Sequence, residues 1–495
     1  MKVDSWCARP SSLANLSIAR WKEISGQIND TCSLVNADWE KWEENSDVTN
    51  EALDKVACGE WEFDKSQFSA TITSEFGLVC GEEYLKSMAQ TIYFVGMICG
   101  VFTFGLVADF FGRKKTLIFL LMGISVTGCI TSIMPTFQWF IFGRFLNAFV
   151  AIGIFETQFT FAVELVGGKW TTIIGIGIGY FWVVGWLSLG AMAFIFRDWR
   201  DLMLYSSLPS FMALVLIWTI TESPRWLLAS GRLEEAEAIV KKAAQENNRE
   251  LPADWHLKPV KNENIQKTTI LDLFKTRNMR TKTGILYLNW FANALSYFGL
   301  TMNIGDLGGD VYVNFTISGF LEIPAYTAAI LFLLYCGRRF PYAGSLILCG
   351  VSLLCVMLVP RGVFSNDWPA MAIALFGKMC ITFSWAVLFL YSAELFPTQI
   401  RASGIGSASF LGRIGGMIAP WIGGLSSYHP YVPVLVFGSI ALLAGVSALW
   451  LPETQGRTLP YTIQESELLE IPSLWKVQDK KDKEGKKIQD HELLK

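Results

Sequence analysis

The chain has 495 residues, 52% of them hydrophobic and only 17% charged, with a net charge of −3. Its mean hydropathy is +0.36. A soluble chain of this length needs a more polar surface, and so small a net charge gives no reason to expect a nucleic-acid partner. The charge crowds into residues 1–90, 222–282 and 453–495, which leaves long apolar tracts and makes this an all-α, multi-pass membrane protein.

Residues 1–84 are polar, rich in Trp and carry Cys7, Cys32, Cys58 and Cys80. Four cysteines allow two disulfides in three pairings. Asn15-Leu-Ser17 and Asn29-Asp-Thr31 are glycosylation sequons. Sequons among paired cysteines point to an oxidising, extracellular location. No run apolar enough for a signal peptide or a leading membrane helix precedes them. Cys99, Cys129, Cys336, Cys349, Cys355 and Cys380 lie in apolar segments and read as small buried hydrophobes. The three histidines are scattered, and no Cys or His spacing suggests a metal.

Eleven apolar runs of spanning length follow, at 86–107, 115–134, 138–164, 172–196, 202–220, 283–304, 312–335, 342–360, 368–391, 401–425 and 431–451. Basic residues alternate between the turns. Arg113, Lys114 and Lys115 fill one, residues 135–137 have none, and residues 222–282 hold twelve Lys or Arg. Arg338 with Arg339, then Arg401, mark later basic turns. The positive-inside rule then puts the N-terminal stretch outside and the central loop and C-terminus inside. Arg361, and Arg197 and Arg200 beside Asp198 and Asp201, are the exceptions. The expected organisation is an extracellular region 1–84, a five-helix bundle 85–221, a cytoplasmic loop 222–282, a six-helix bundle 283–452 and a cytoplasmic tail 453–495. Within the loop, Leu233–Gln245 reads as an amphipathic helix, acidic early and basic late.

The turn Gly105-x3-Asp109-x2-Gly112-Arg113-Lys114 joins two spans. Its glycines permit the turn, and Asp109 can pair with Arg113 as a lock remade during rocking. The plainer alternative is a capped basic turn.

Several further motifs resemble the organic cation/anion/carnitine transporter family of the major facilitator superfamily. They are Phe76-Gly-Leu-Val-Cys80, Glu222-Ser-Pro-Arg225-Trp-Leu227, Tyr297-Phe-Gly-Leu300, Glu322-Ile-Pro-Ala-Tyr326, Gly337-Arg-Arg339 and Tyr391-Ser-Ala-Glu394-Leu-Phe-Pro-Thr-Gln-Ile-Arg401. Residues 58–470 carry the resemblance, and Glu322–Tyr326 with Arg413-Ile-Gly-Gly are most similar to its carnitine-type branch. The family implies two six-helix bundles about a central cavity, each of inverted three-helix repeats. It also implies a span before the cysteine-bearing loop. The eleven runs match the family's second to twelfth spans, so an incomplete gene model or splice form is expected, with a true eleven-span carrier as the other reading. A second departure is Leu334, where an acid should precede Gly337 by three residues.

Charges within spans are costly and mark function first. Arg413 stands where the family's carnitine and anion carriers have an arginine, which implies a carboxylate held by its fork. An intramembrane salt bridge is its structural alternative. Glu322, with Tyr326 one turn away, can attract a cation or take part in ion coupling. Glu156 departs from the family pattern and is a specificity candidate. Lys378 reads as snorkelling to the interface. Phe155 with Phe159, Trp182 with Trp186, and Trp290 with Tyr297 share helix faces and are candidates for a cation–π cage. Gly105, Asp109, Gly112, Arg113, Glu222, Arg225, Glu394 and Arg401 are the gating candidates.

The expected function is alternating-access transport of a small organic ion: a carnitine-like zwitterion, an organic cation or an organic anion. The alternative is a truncated or non-transporting membrane protein of the same fold. Enzyme chemistry finds no nucleophile–base pair in the spans. No cofactor is expected, and coupling to Na+, H+ or membrane potential stays open. The partners are the substrate and the bilayer, at the plasma membrane.

Overall fold

The computed structural model describes residues 4–27, 31–37, 39, 54–167, 169–252, 255–257, 270–303, 310–360, 363–364, 367–397, 399–456, 460 and 463–468. Asn29 lies outside them. A small cap precedes the first long helix. Strand β1 (Ser5–Cys7) pairs antiparallel with β4 (Trp61–Phe63), and β2 (Ser33–Val35) with β3 (Lys55–Ala57). Helix α1 (Ile18–Ile24) lies beside them, capped by Ser17. Trp6, Trp21, Ile24, Val35 and Trp39 form the cap's apolar core. Of the three pairings open to its cysteines, Cys7–Cys58 and Cys32–Cys80 are the ones made. Asn15 is exposed.

Every apolar run is helical. After α2 (Ile72–Phe76) come α3 (Tyr84–Phe111), α4 (Arg113–Ser132), α5 (Phe137–Glu164) and α6 (Lys169–Ile195). The run expected at 202–220 is broken beside Pro209, which has no N–H to bond the preceding turn. It consists of α7 (Trp199–Ser207), a 3-10 stretch (Leu208–Val215) and α8 (Leu216–Thr219). Two loop helices follow, α9 (Pro224–Ala229) and α10 (Leu233–Glu246). The second half holds α11 (Arg277–Met302), α12 (Val311–Tyr335), α13 (Arg339–Val356), α14 (Trp368–Leu395), α15 (Arg401–Gly424) and α16 (Val432–Ala448). Helix α17 (Ile463–Leu468) docks on α11 through Asn278 and the buried Lys282, which donate to the carbonyls of Glu467 and Ser466. Among the described residues, seven helices are long and apolar enough to cross a membrane on that ground alone. Of the six unpaired cysteines, Cys349 and Cys380 are buried, whereas Cys99 and Cys336 are exposed on the apolar surface.

The two halves meet along α3 with α15 and α6 with α12. At the cap end, Ser87 and Thr91 of α3 donate to the carbonyls of Pro420 and Met417. Trp421 donates to Thr91, and the Tyr312 hydroxyl donates to the Gln67 and Ala193 carbonyls. Farther down, Tyr180 meets Thr327. A Cβ on Gly179 would come within 2.6 Å of the Tyr326 ring, so only glycine allows this close approach. The halves are thus sealed at the cap end.

The arginines near residue 200 sit at that end because they fasten the cap. Arg200 binds Glu75 rather than Asp201, and it also donates to the carbonyls of Ser132 and Met134. Asp198 instead caps α7. Burial alone raises the Glu75 carboxyl. Hydrogen bonds from Arg200 and Trp199 outweigh it and hold the group below the ordinary carboxylate value. A depressed acid stabilises fully above its ordinary value, and the contribution disappears as pH falls through the lower folded value. Limited proteolysis should find the cap resistant at neutral pH and progressively open in acid. Glu75→Gln should open it at neutral pH already, at a cost of about 1 kcal/mol. An unchanged digestion pattern in the variant would show that the pair does not hold the cap.

Candidate functional site

Among the described residues, two ion pairs within the spans stand out: Arg413–Glu156 and Lys378–Glu322. Arg413 on α15 donates to Glu156 on α5 at 2.9 Å, across the two halves, and also to Ser409. The salt-bridge alternative for Arg413 is therefore the arrangement seen. Lys378 on α14 stands 3.4 Å from Glu322 on α12, and both side chains are nearly inaccessible, at 2% and 1%. Lys378 does not snorkel. Its ammonium donates to Ser318, and it lies 4.5 Å over the Trp186 ring and 5.8 Å from that of Tyr297. The reason is helical register: Lys378, Trp385, Phe389 and Ser392 recur on one face of α14, and that face turns inward. Tyr297 donates to Glu322 at 3.1 Å.

An aromatic path links the pairs. Phe159 meets Phe389, which lies edge-on to Trp290 at 4.6 Å. Trp290 and Tyr297 both contact Trp385. Trp290 is anchored by a bond to Ser392 and packs beside Gly412, next to Arg413. Trp186 stacks on Phe315 at 4.3 Å and donates to its carbonyl. Phe155, Trp182 and Trp186 line one cavity of about 640 Å³. Tyr326 is buried against Gly179 and Tyr180 and belongs to the seal between halves rather than to that cavity. Trp385 and Phe389 were missed from the sequence, although their spacing from Lys378 carried the signal.

The loop end holds two matching networks. Gly112, at φ 99°, ends α3 and begins α4. Glu222 accepts from the N–H groups of Arg113 and Lys114, neutralising the α4 N-terminus. Arg113 binds Asp109 at 2.6 Å and Glu164 at 3.1 Å, and Ser223 donates to Glu164. In the second half, Gly337 (φ 90°) precedes Arg338 and Arg339, whose N–H groups donate to Glu453. Arg338 binds Glu394 through two nitrogens, and Thr454 donates to the same acid. The Asp109 contact is the part without a counterpart, as Leu334 foreshadows. Gly105 lies inside α3, where a Cβ would meet open space, so it does not enable the turn. Arg225 is exposed on α9, and Arg401 donates to the Phe396 carbonyl.

Breaking a buried pair from one side leaves an uncompensated charge and costs about 3–5 kcal/mol. Lys378→Met should therefore lower the thermal unfolding midpoint of the purified protein sharply. Lys378→Met combined with Glu322→Gln should recover most of the loss. Equal midpoints for the single and double variants would mean that Glu322 does not depend on Lys378.

Residues 37–464 match the family model described as Sugar (and other) transporter. The chain is 32% identical over 480 residues to the organic cation transporter protein of Drosophila melanogaster, covering 94% of this chain and 87% of that one. It is 34% identical over 470 residues to solute carrier family 22 member 4 of Mus musculus, covering 92% and 84%. It is 33% identical over 430 residues to the organic cation/carnitine transporter 2 of Homo sapiens, covering 86% and 76%. In fold it is similar to the inward open conformation of the xylose transporter XylE from E. coli, with a TM-score of 0.57 at 17% identity over 79% of this chain and 90% of that one.

Proposed function

We propose, from the premise that this chain belongs to the sugar (and other) transporter family of the major facilitator superfamily and to its organic cation and carnitine transporter branch, that it carries a small amphoteric organic ion by alternating access. Its relatives are transporters, not enzymes, and the protein is a multi-pass membrane carrier of small organic substrates. Two observations carry the finer reading: Arg413 reaches across the halves to Glu156, and Phe155, the neighbour of Glu156 in the chain, lines an aromatic cavity between α5 and α6. Arg413 offers a planar fork to a carboxylate. Phe155 and Trp182 offer ring faces to a cationic group. A carnitine-like molecule has both parts.

The cap faces the outside of the plasma membrane and the basic turns face the cytoplasm. The paired cysteines and the exposed Asn15, a glycosylation site in this reading, favour that orientation. With the cap end sealed, the carrier is in a state closed to the outside, and rocking breaks the cap-end contacts. The Asp109–Arg113–Glu164 network and its second-half counterpart keep each half rigid at the cytoplasmic end. The buried Glu322–Lys378 pair is the place where an ion or proton would couple.

Uptake of labelled carnitine, tetraethylammonium and an organic anion, each with and without sodium, tests the substrate class. Carnitine uptake should exceed the other two. Arg413→Ala at normal surface density should reduce carnitine uptake at least tenfold, the value of one charge-assisted contact (on the order of 1.5–3 kcal/mol). Undiminished uptake in that variant would remove Arg413 as the anchor.

A further inference from the structure

We infer that Glu156 is the charge filter of the site: an internal counter-ion that only a ligand carrying both a carboxylate and a cation can displace without leaving a buried charge unpaired. This rests on the transport reading above and specifies which residue sets its selectivity.

Among the described residues, two ion pairs lie in the membrane-spanning part, one between the halves and one within the second, and each cancels in charge. Arg413 is paired with Glu156, and Lys378 with Glu322. The two pairs are not alike. Lys378 is enclosed, held by Glu322 and Ser318 and by the Trp186 and Tyr297 rings. Its ammonium already occupies those two aromatic faces. Glu156 is more open, with its side chain 33% accessible, while Arg413 is 11% accessible. One Arg413 nitrogen bonds one Glu156 oxygen, and the buried Nε has no partner among the described residues. The guanidinium fork is therefore only partly used. An incoming carboxylate that takes two parallel bonds gains more than the single bond it replaces.

Displacement has a consequence for charge. A ligand with a carboxylate alone takes Arg413 and strands Glu156 in a partly desolvated place. A ligand with a cation alone takes Glu156 and strands Arg413. Leaving a charge without its partner is the unfavourable outcome in each case, more so for the enclosed Arg413 than for the more open Glu156. An amphoteric ligand gives a new partner to both, so the balance of the site is unchanged. Phe155, next to Glu156 in the chain, lines the open cavity with Trp182, whose ring faces are suited to a cationic group. Glu156 lies on α5 and Arg413 on α15, so the exchange also replaces an ion pair between the halves with a bridge through the ligand.

The test compares carnitine with 3-hydroxybutyrate, which keeps the carboxylate and lacks the ammonium group. Glu156→Gln removes the group that a lone carboxylate would strand. It should shift the uptake ratio toward 3-hydroxybutyrate by about tenfold or more, and Glu156→Asp should keep the parent's preference. Ligand-induced thermal stabilisation of purified protein gives the same ratio without surface delivery. A Glu156→Gln ratio equal to the parent's, by uptake or by stabilisation, would overturn the assignment. A parent protein that neither takes up nor is stabilised by carnitine would instead refute the transport reading, and the two failures are thereby distinct.

Discussion

Charge cannot be left alone inside a bundle of apolar helices, and that constraint arranges the centre of this molecule. Arg413 and Lys378 each sit within a span, and each is met by an acid from another helix. Desolvation favours the pairing. It also makes the pairing exchangeable, since a ligand that offers equivalent charges can take either partner's place. Helix choice then follows. Glu322 and Lys378 tie α12 to α14 inside one half, whereas Glu156 and Arg413 tie α5 to α15 between the halves. The first pair stabilises a rigid body. The second joins the two halves.

The loop end repeats one device twice. Each turn has a glycine at positive φ followed by an arginine, and each has a distant glutamate capping the next helix. In each, the arginine reaches back to a carbonyl five residues earlier, Ala108 or Leu333, and across to Glu164 or Glu394. A Cβ on Gly337 would lie 2.9 Å from the Glu453 carboxylate, so the acid comes in only over glycine. These contacts join elements within a half. Each network therefore stiffens the loop end of its own half.

Much of the fold was legible in the sequence because its signals are local. Run length and apolar content locate helices, and the basic turns divide the two ends. The break in the run after Trp199 was missed, although Pro209 marks it. Partners were harder to read. Glu156 and Arg413 are 257 residues apart, and no local pattern connects them. Lys378 misled because depth along a span does not say which face of the helix points inward. The aromatic residues sorted only partly. Trp182 and Trp186 line one cavity, but Phe155 and Phe159, which share a face, part company, one at the cavity and the other against Phe389. The disulfide pairing depended on the cap's folded path, and spacing could not choose it.

Relative movement of the two halves about the Glu156–Arg413 level is measured most directly by paired spin-label distances. One label pair belongs at the cap end, on Ser87 and Gly424, and the other at the loop end, on Leu165 and Phe340, both exposed. Across the ensemble with and without carnitine, the cap-end distance should lengthen in the population whose loop-end distance shortens. Distances that stay fixed at both ends, or that lengthen together, would contradict rocking of rigid halves about a central ion-pair site.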